Sequence, residues 1–400
     1  MGAILSPAMA VMKRLRFGGK FALISAVFVL PIVFLLWLLV SNMNAEIAFA
    51  QKERLGVSYN RAMLSLLQHM QQHRGMASGL LNGDGSFAPR LEAMEAKIAK
   101  DAEAIDALER EHGEVLATTG KWNAIKKNWL DVRGNFKGMT PPQSFAAHTT
   151  ITQSILDQIA YAGDTSNLTV DPDLDSYYLM NTFVGKLPDA SESTGQARAV
   201  GTGVATRKSM EPAEMANLML LISKSEGGYR NAMVNLDKAA NRNPAVAGAV
   251  KDAKALVEAT GRFVKTAHEK VIDAKQIEIS PPDYFAVATQ AIDDNFKANE
   301  LVATELDRLL VLRIEARTLH KWQTLGAVGV VLLLASLLLA GFYRVVNEGL
   351  ARAGSVAAAV AGGNLAIEIR SDGRDETAQL LGTLGSMQQE LVAIVSRIRD

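Results

Sequence analysis

The 400-residue chain contains no cysteine, which excludes disulfide bonds, zinc–thiolate sites and thiol catalysis together. It also lacks an excess of either charge, with 42 Lys and Arg against 42 Asp and Glu. Without a strongly basic face, nothing favours a nucleic-acid partner. Aromatic residues make up only 6% of the sequence, and a chain poor in aromatics but rich in Ala, Leu and Met favours helices over sheets.

Two long uncharged apolar runs are the main feature that is present, Phe21–Val40 and Leu325–Phe342. A helix of roughly 20 apolar residues crosses the hydrocarbon core of a membrane, which is about 30 Å thick. We therefore predict transmembrane helices at 21–41 and 324–343. The residues between them, 42–323, then form a domain on one side of the membrane.

Basic residues flank the two runs on the sides away from this domain: Lys13, Arg14, Arg16 and Lys20 before the first, and Arg344 and Arg352 after the second. Positive charge close to a span stays cytoplasmic, while a long loop crosses largely regardless of its charge. The tail 1–20 and the C-terminal segment are therefore predicted to be cytoplasmic. The large domain is predicted to be periplasmic, and the protein to be a multi-pass protein of a bacterial inner membrane.

A cleaved signal peptide is the alternative for the first run, because Ala48-Phe49-Ala50 matches the small-x-small pattern of a cleavage site. The apolar core of a signal peptide usually has about 7–15 residues. The run here is longer, which favours a retained helix.

Four sites place a capping side chain directly before a proline, which is typical of a helix start: Thr140-Pro141, Asp171-Pro172, Asn243-Pro244 and Ser280-Pro281. The first membrane helix is predicted to continue to Leu81, and the last helix to begin near Pro281. A helix of about 60 residues is roughly 90 Å long. The predicted fold is therefore all-α and elongated, with two helical-bundle modules stacked end to end.

An amphipathic pattern follows the second apolar run. Apolar residues at alternating three and four spacing fall in two stretches: Val346, Leu350, Ala353, Ala357 and Val360, then Leu380, Leu384, Met387, Leu391, Ile394 and Ile398. Gly362 to Ile369 connects them, and Asp375-Glu376 opens the second stretch. Such narrow apolar stripes are buried by pairing, most simply in a parallel four-helix coiled coil of a homodimer.

Residues 344–396 resemble a HAMP domain, with Gly363-Asn364-Leu365 opening the connector. Glu348 departs from this family, which usually has a proline shortly after the membrane exit. The resemblance implies a relay of signals through the coiled coil. The relay residues that it implies are Gly363, Leu365, Ile369, Asp375 and Glu376. The alternative is an ordinary juxtamembrane coiled coil.

The closing stretch Leu391–Asp400 is similar to the entry into the cytoplasmic hairpin of methyl-accepting chemotaxis receptors. Residues 397–400 are accordingly predicted to begin an output module, through which a cytoplasmic kinase and an adaptor are indirect partners. The sensor half of a histidine kinase or a diguanylate cyclase is an alternative. A receptor that binds a periplasmic partner protein is another.

The best candidate for a ligand-binding residue is Arg74, which interrupts an apolar row of Met63, Leu67, Met70, Ala77 and Leu81. A guanidinium that faces the interior of a bundle needs an anion or acceptors to offset its desolvation. The neighbouring Gly75 allows a ligand or another helix to approach closely. Arg74 either binds a small anion or carboxylate, or snorkels or pairs with an acidic residue of another helix.

A second row begins at Tyr177 and, continued at helical spacing, reaches Arg198. Pro188 interrupts or kinks the helix between them. Tyr177 and Arg198 are added to the candidate ligand-binding residues, with the same structural alternative for the arginine.

The stretch from Gln71 to Met76, QQHRGM, resembles the Arg-Gly element in the first helix of nitrate- and nitrite-sensing domains. This resemblance implies an anion site that involves Arg74, with nitrate or nitrite as one ligand. A helical bimodular sensor of organic acids has the same architecture. His69 and His73 lie four apart but have no acidic third ligand nearby on that face, so no metal site is predicted. The sequence shows no catalytic set and no cofactor motif, and we expect a receptor rather than an enzyme.

Overall fold

The computed structural model describes residues 2–399, and every regular element in that range is helical. The all-α fold predicted from the sequence is thereby confirmed. The α-helices are α1 (Gly2–Arg14), α2 (Phe17–Leu81), α3 (Ala88–Leu116), α4 (Thr119–Asn135), α5 (Pro141–Thr165), α6 (Leu174–Met180), α7 (Leu187–Arg207), α8 (Pro212–Arg242), α9 (Ala247–Ala267), α10 (Pro281–Ala361) and α11 (Glu376–Arg399). Of the predicted last segment, 397–400, Asp400 lies outside the described residues.

The chain divides into two compact units. The central unit comprises residues 45–317, and the flanking unit comprises the segments up to residue 44 and from residue 318. Helices α2 and α10 each include a stretch that is long and apolar enough to cross a membrane.

Within the flanking unit, the apolar parts of α2 and α10 lie side by side and antiparallel. The ring of Phe17 stacks on that of Tyr343, with 6.0 Å between centroids. At the other end, Lys321 Nζ donates to Asn44 Oδ1 at 3.2 Å. Helices α2 and α10 thus make contact near both ends of their apolar stretches.

The central unit contains two bundles, one of α2–α5 and one of α6–α10. Polar contacts between α2 and α10 join the bundles along their length: Arg54 with Asp307, Arg61 with Glu300, and Gln68 with Asp293. The bundles therefore lie side by side, and the predicted end-to-end stacking is wrong for this unit. An apolar core shared by both bundles, with Met63, Leu67, Ile155, Phe183 and Leu306 among its buried members, makes this lateral packing favourable.

Most of the predicted helix ends are found at their predicted residues; α6 is the exception, because it begins at Leu174 with Asp173 and not Asp171 at its N-cap. Helix α2 ends at Leu81, and α10 begins at Pro281. Thr140 and Gln143 form a capping box at the start of α5. These ends could be predicted because a cap satisfies backbone N–H groups that a helix leaves free in its first turn.

One turn of π-helix, Asn181–Lys186, joins α6 to α7. In this turn the N–H of Leu187 donates to the carbonyl of Thr182, five residues earlier. The next bond in that series would join Pro188 to the carbonyl of Phe183, and proline has no N–H to donate. The Phe183 carbonyl instead accepts from Asn299 Nδ2 of α10 at 3.2 Å.

A second asparagine of α10 acts in the same way. Asn295 Nδ2 donates to the carbonyl of Leu187 at 3.0 Å. Both asparagines are buried and lie in the row of α10 that faces the core. The hydrogen bonds of these two side chains hold α10 against the π turn.

Replacing Asn299 by leucine is expected to lower the free energy of unfolding by about 1–3 kcal/mol, because the Phe183 carbonyl then lies buried without a donor. Urea unfolding of the full-length protein in detergent, followed by tryptophan fluorescence, measures this loss. The matched control is Asn231→Leu, at an exposed position of α8, for which a change of less than about 0.5 kcal/mol is expected. Equal losses in the two variants would contradict the assignment.

Candidate functional site

Arg74 lies in the core row of α2, as its position between Met70 and Ala77 predicts, and its side chain is buried. Its guanidinium forms a two-pronged ion pair with Glu192 of α7. The Nη1–Oε1 distance is 2.6 Å and the Nη2–Oε2 distance is 3.2 Å. This pairing compensates the desolvation of both buried charges.

Helix α5 supplies the other contacts of Arg74. Nη1 donates to the hydroxyl of Thr149 at 3.0 Å and lies 3.4 Å from that of Thr152. The guanidinium also lies over the ring of Phe145, 5.0 Å from its centroid. Arg74 is therefore held by both bundles of the central unit, because α5 belongs to one and α7 to the other.

Arg198 is buried in α7 beside Arg74, but its surroundings are different. Its Nη1 donates to the hydroxyl of Thr289 at 2.9 Å, and its Nη2 donates to the carbonyl of Gln71 at 3.4 Å. The guanidinium lies over the ring of Phe285, 4.7 Å from the centroid. Within the described part of the chain, no carboxylate forms an ion pair with it. Burial and, secondly, the charge of Arg74 lower the pKa of Arg198 to about 10.

Two glycines make room for the guanidinium groups. A Cβ atom at Gly75 would lie 3.1 Å from Arg198 Nη2, and one at Gly195 would lie 3.0 Å from Arg74 Nη2. Side chains at these positions would crowd the guanidinium nitrogens. The absence of a side chain thus opens the space between α2 and α7 at this level.

A cavity of about 780 Å³ adjoins these groups. Its lining includes Arg74, Gly75, Gly195 and Arg198 at one side, with Phe87, Phe145 and Phe285 around them. The cavity therefore combines buried guanidinium groups with aromatic walls, which is a usual composition for a small-molecule site.

Three of the four predicted ligand-binding residues, Arg74, Gly75 and Arg198, meet at this cavity. Tyr177 does not line it. The sequence separation of Tyr177 from Arg198 corresponds to roughly 30 Å of helix at 1.5 Å per residue, so the two side chains cannot share a small site. Tyr177 instead packs against the main apolar core.

The sequence interpretation did not include Glu192, Thr289 or the aromatic rings. The only local signal for Glu192 is that a carboxylate follows Ala190 and Ser191 in a row of small, buried residues. The structural alternative for Arg74, an acidic partner on another helix, is what Glu192 provides. For Arg198 no such partner is found among residues 2–399.

A pair of neutral histidines lies next to this site. His73 Nδ1 and His148 Nε2 are 2.9 Å apart, and His148 Nδ1 lies 2.7 Å from the carbonyl of Ser144. Burial lowers the pKa values of His73 and His148 to about 3 and about 4. His69 faces away from this pair and contacts Asp101 at 2.5 Å. His69 and His73 therefore have separate partners.

A second buried cluster of charges joins α2, α10 and the loop before α6. Arg313 contacts Glu53 and Asp171 at 3.0 Å each and Asp173 at 2.8 Å. Ser176 also accepts a hydrogen bond from Arg313. Burial and the negative charge of Asp171 raise the pKa of Glu53 to about 8, against the opposing effect of Arg313. Burial also raises the pKa of Asp171.

The five predicted relay residues lie in the flanking unit, where α10 ends and α11 begins. Gly363 has a φ of +83°, and the bonds Gly363 N–H to Val360 O and Asn364 N–H to Ala359 O close the helix end as a Schellman motif. Asp375 accepts from the N–H of Ala378 at 2.8 Å at the start of α11.

The connector between these helices is fastened to α11 by one side chain. Gln388 Nε2 donates to the carbonyls of Leu365 and Ile367, at 2.7 Å each. Ile369 lies against Gly385, where a Cβ atom would be 3.8 Å from it. Glu376 is the first residue of α11. The connector is therefore a defined structure in a single copy of the chain.

Comparison with known families adds the decisive observation for the central unit. Residues 65–307 match the family described as nitrate and nitrite sensing. The chain belongs to this family. The matched range contains Arg74, Glu192 and Arg198, so the cavity lies within the nitrate and nitrite sensing domain, whereas Glu53 and Arg313 lie outside that range.

One solved structure supports the fold of this domain. The structure of the NasR transcription antiterminator is similar over 90% of this chain and 98% of its own, with a TM-score of 0.54 and 14% sequence identity. At this identity the similarity concerns the fold alone. No curated protein matches the sequence.

Proposed function

We propose that the protein is a transmembrane receptor whose nitrate and nitrite sensing domain binds a small monovalent oxyanion, nitrate or nitrite, in the cavity beside Arg74 and Arg198. The observation that carries this proposal is a buried guanidinium, that of Arg198, without a carboxylate among the described residues. Burying such a charge is costly unless an anion compensates it. An anion in the adjoining cavity would supply that compensation.

The chemistry of the site suits a flat oxyanion. A guanidinium is a planar fork of N–H donors that matches two oxygens of one planar group. The stacking of Arg198 on Phe285 fixes the plane of the guanidinium. Because Thr289 and Gln71 occupy part of its donors, the remaining ones are available for the ligand.

For the topology we propose a homodimer in the bacterial inner membrane with the domain 42–323 in the periplasm. Two helices with stretches apolar enough to span a bilayer support this. The basic residues on the flanks of both runs support cytoplasmic ends. The membrane and a second copy of the chain are thus the partners besides the anion.

For the relay we propose that residues 344–396 act as a HAMP domain and pass the signal to a chemotaxis-type output module, and through it to a cytoplasmic kinase and adaptor. Exposed apolar side chains on α11, with Leu380, Met387, Leu391 and Ile394 each more than a third exposed, favour pairing with a second copy. The ligand drives this relay only if it binds one packing arrangement of the helices more tightly than the other.

The test is thermal unfolding of the full-length protein in detergent, with nitrate or nitrite compared against chloride at equal ionic strength. Ligand at 100 times its Kd stabilises the folded state by about 2.7 kcal/mol, which raises the Tm by several degrees. Trp122 and Trp129, both buried in the central unit, report this unfolding.

Arg198→Ala is expected to remove the nitrate-dependent rise in Tm, because the uncompensated charge is gone. The matched control is Arg61→Ala, whose side chain pairs with Glu300 and does not line the cavity. The control should keep the full rise. The proposed site would be refuted if nitrate still raised the Tm of Arg198→Ala. It would also be refuted if neither nitrate nor nitrite raised the Tm of the native protein.

A further inference from the structure

Two buried positive charges line the cavity, and one buried negative charge that does not line it is paired with one of them. Arg74 and Arg198 supply the positive charges, and Glu192 supplies the negative one; each of the three is at most 5% exposed. Because water does not screen buried charges well, their balance determines which ligand charge is compensated. The balance of these three groups is one positive charge, on which the half-buried Asp293, outside the cavity lining, also acts.

Glu192 is a fixed part of the site. Besides the two bonds from Arg74, its Oε2 accepts from Gln71 Nε2 at 2.9 Å and its Oε1 accepts from Gln196 Nε2 at 2.8 Å. Four donors thus hold its two oxygens, and several would lose their acceptor if the carboxylate left.

Other charges at the cavity lie at its rim. Asp84, Arg90 and Arg207 line the cavity and are exposed. Arg207 in addition pairs with Glu214. Water and salt screen exposed charges strongly, so these groups affect the choice of ligand charge far less than the buried three.

We propose that Glu192 determines the valence of the ligand: by neutralising Arg74 it leaves Arg198 as the one buried cation of the cavity lining without a paired carboxylate among the described residues, and the cavity therefore selects monovalent over divalent oxyanions. This inference rests on the proposed anion site and adds the residue that sets its specificity. A divalent anion in this cavity would bring a surplus negative charge, because Glu192 already neutralises Arg74. The desolvation of that surplus charge would remain uncompensated.

The test compares nitrate, sulfate and methanesulfonate on the full-length protein in detergent. Methanesulfonate is a monoanion with the tetrahedral sulfur of sulfate, so it separates charge from shape. Replacing Glu192 by glutamine removes one negative charge at nearly constant shape. The ratio of sulfate to methanesulfonate affinity is expected to rise by at least about tenfold.

The matched control is Glu305→Gln, since Glu305 is also buried and paired with an arginine, but that arginine, Arg308, does not line the cavity. This control should leave the affinity ratio unchanged. An unchanged ratio in Glu192→Gln, or sulfate binding to the native protein as tightly as methanesulfonate, would overturn the inference while leaving nitrate binding intact. If the native protein binds none of the three anions and no nitrite, the proposed function itself fails.

A charge change in the opposite direction keeps the inference testable if Glu192→Gln does not fold. Thr289→Asp offers Arg198 a carboxylate at the hydroxyl that it already contacts at 2.9 Å. Nitrate affinity should then fall at least about tenfold further than in Thr289→Asn, which has the same shape without the charge. Equal losses in the two variants would contradict the role of charge balance.

Discussion

Replacing Arg313 by methionine is expected to lower the free energy of unfolding by about 3–5 kcal/mol, because it leaves the buried carboxyl groups of Glu53 and Asp171 without their cation. Both carboxyl side chains are fully buried, while that of Arg313 is 14% exposed. Chemical unfolding of the full-length protein near neutral pH measures this loss. It is the largest destabilisation that we expect from a single substitution in the central unit.

The matched control is Arg54→Met, which removes an exposed ion pair with Asp307 between the same two helices. Exposed pairs contribute at most about 1 kcal/mol. Adding Glu53→Gln to Arg313→Met should change the stability little further near neutral pH, because the pKa of Glu53 is raised to about 8 and its carboxyl group is already protonated there. A loss in Arg313→Met no larger than that in Arg54→Met would show that the cluster is not the buried network described above.

The stability of the native protein is expected to fall as the pH rises towards 8, and Glu53→Gln should flatten this fall. The pKa of Glu53 is raised from its ordinary value of 4.5 to about 8. The folded protein therefore binds a proton more tightly than the unfolded chain does. This contribution is complete below about pH 4.5 and is lost as the pH rises through 8, with a total on the order of a few kcal/mol.

The charged and polar groups that face Glu53 are Arg313 on α10, Asp171 and Asp173 in the loop before α6, and Ser176 on α6. Asp171, with its pKa also raised, contributes a slope of the same sign. Urea unfolding between about pH 6.5 and pH 8 isolates this effect, because buried neutral histidines lose stability only below the ordinary histidine pKa of about 6.5. If the free energy of unfolding falls equally steeply with pH in the native protein and in Glu53→Gln, the assignment of a raised pKa to Glu53 is wrong.

Much of the fold followed from short-range signals in the sequence. Caps such as Thr140 and Ser280 predict helix starts because they satisfy backbone groups within a few residues. The apolar row of α2 predicted which of its faces is buried. The lateral packing of the two bundles could not be predicted, because it depends on contacts such as Arg54 with Asp307, which are distant in sequence.

The candidate site was predicted in part for the same reason. The position of Arg74 in an apolar row is a local feature, and it correctly indicated a buried guanidinium. Its partner Glu192 lies on a different helix and carries no local signal strong enough to single it out. Tyr177 was grouped with Arg198 by helical spacing, but spacing gives the face of a helix and not the distance along it.

The π turn before α7 could not be predicted from the sequence either. Pro188 predicted a kink, and the helix does change its winding just before this residue. The extra residue in the turn and the two asparagine bonds from α10 form only when the helices are packed. The carbonyls that Asn295 and Asn299 bind are defined only by the folded backbone.

These two asparagine bonds limit how α10 can move within the central unit. A slip of one helical turn, about 5.4 Å along its axis, would separate both amides from the carbonyls of Phe183 and Leu187. Two acceptors would then be buried without donors, at about 1–3 kcal/mol each. A small tilt that pivots about the two amides keeps the bonds, and helix shifts of about 1–2 Å occur in allosteric transitions. A ratchet past α7 is therefore disfavoured, and a pivot about the asparagines is the motion that this unit permits.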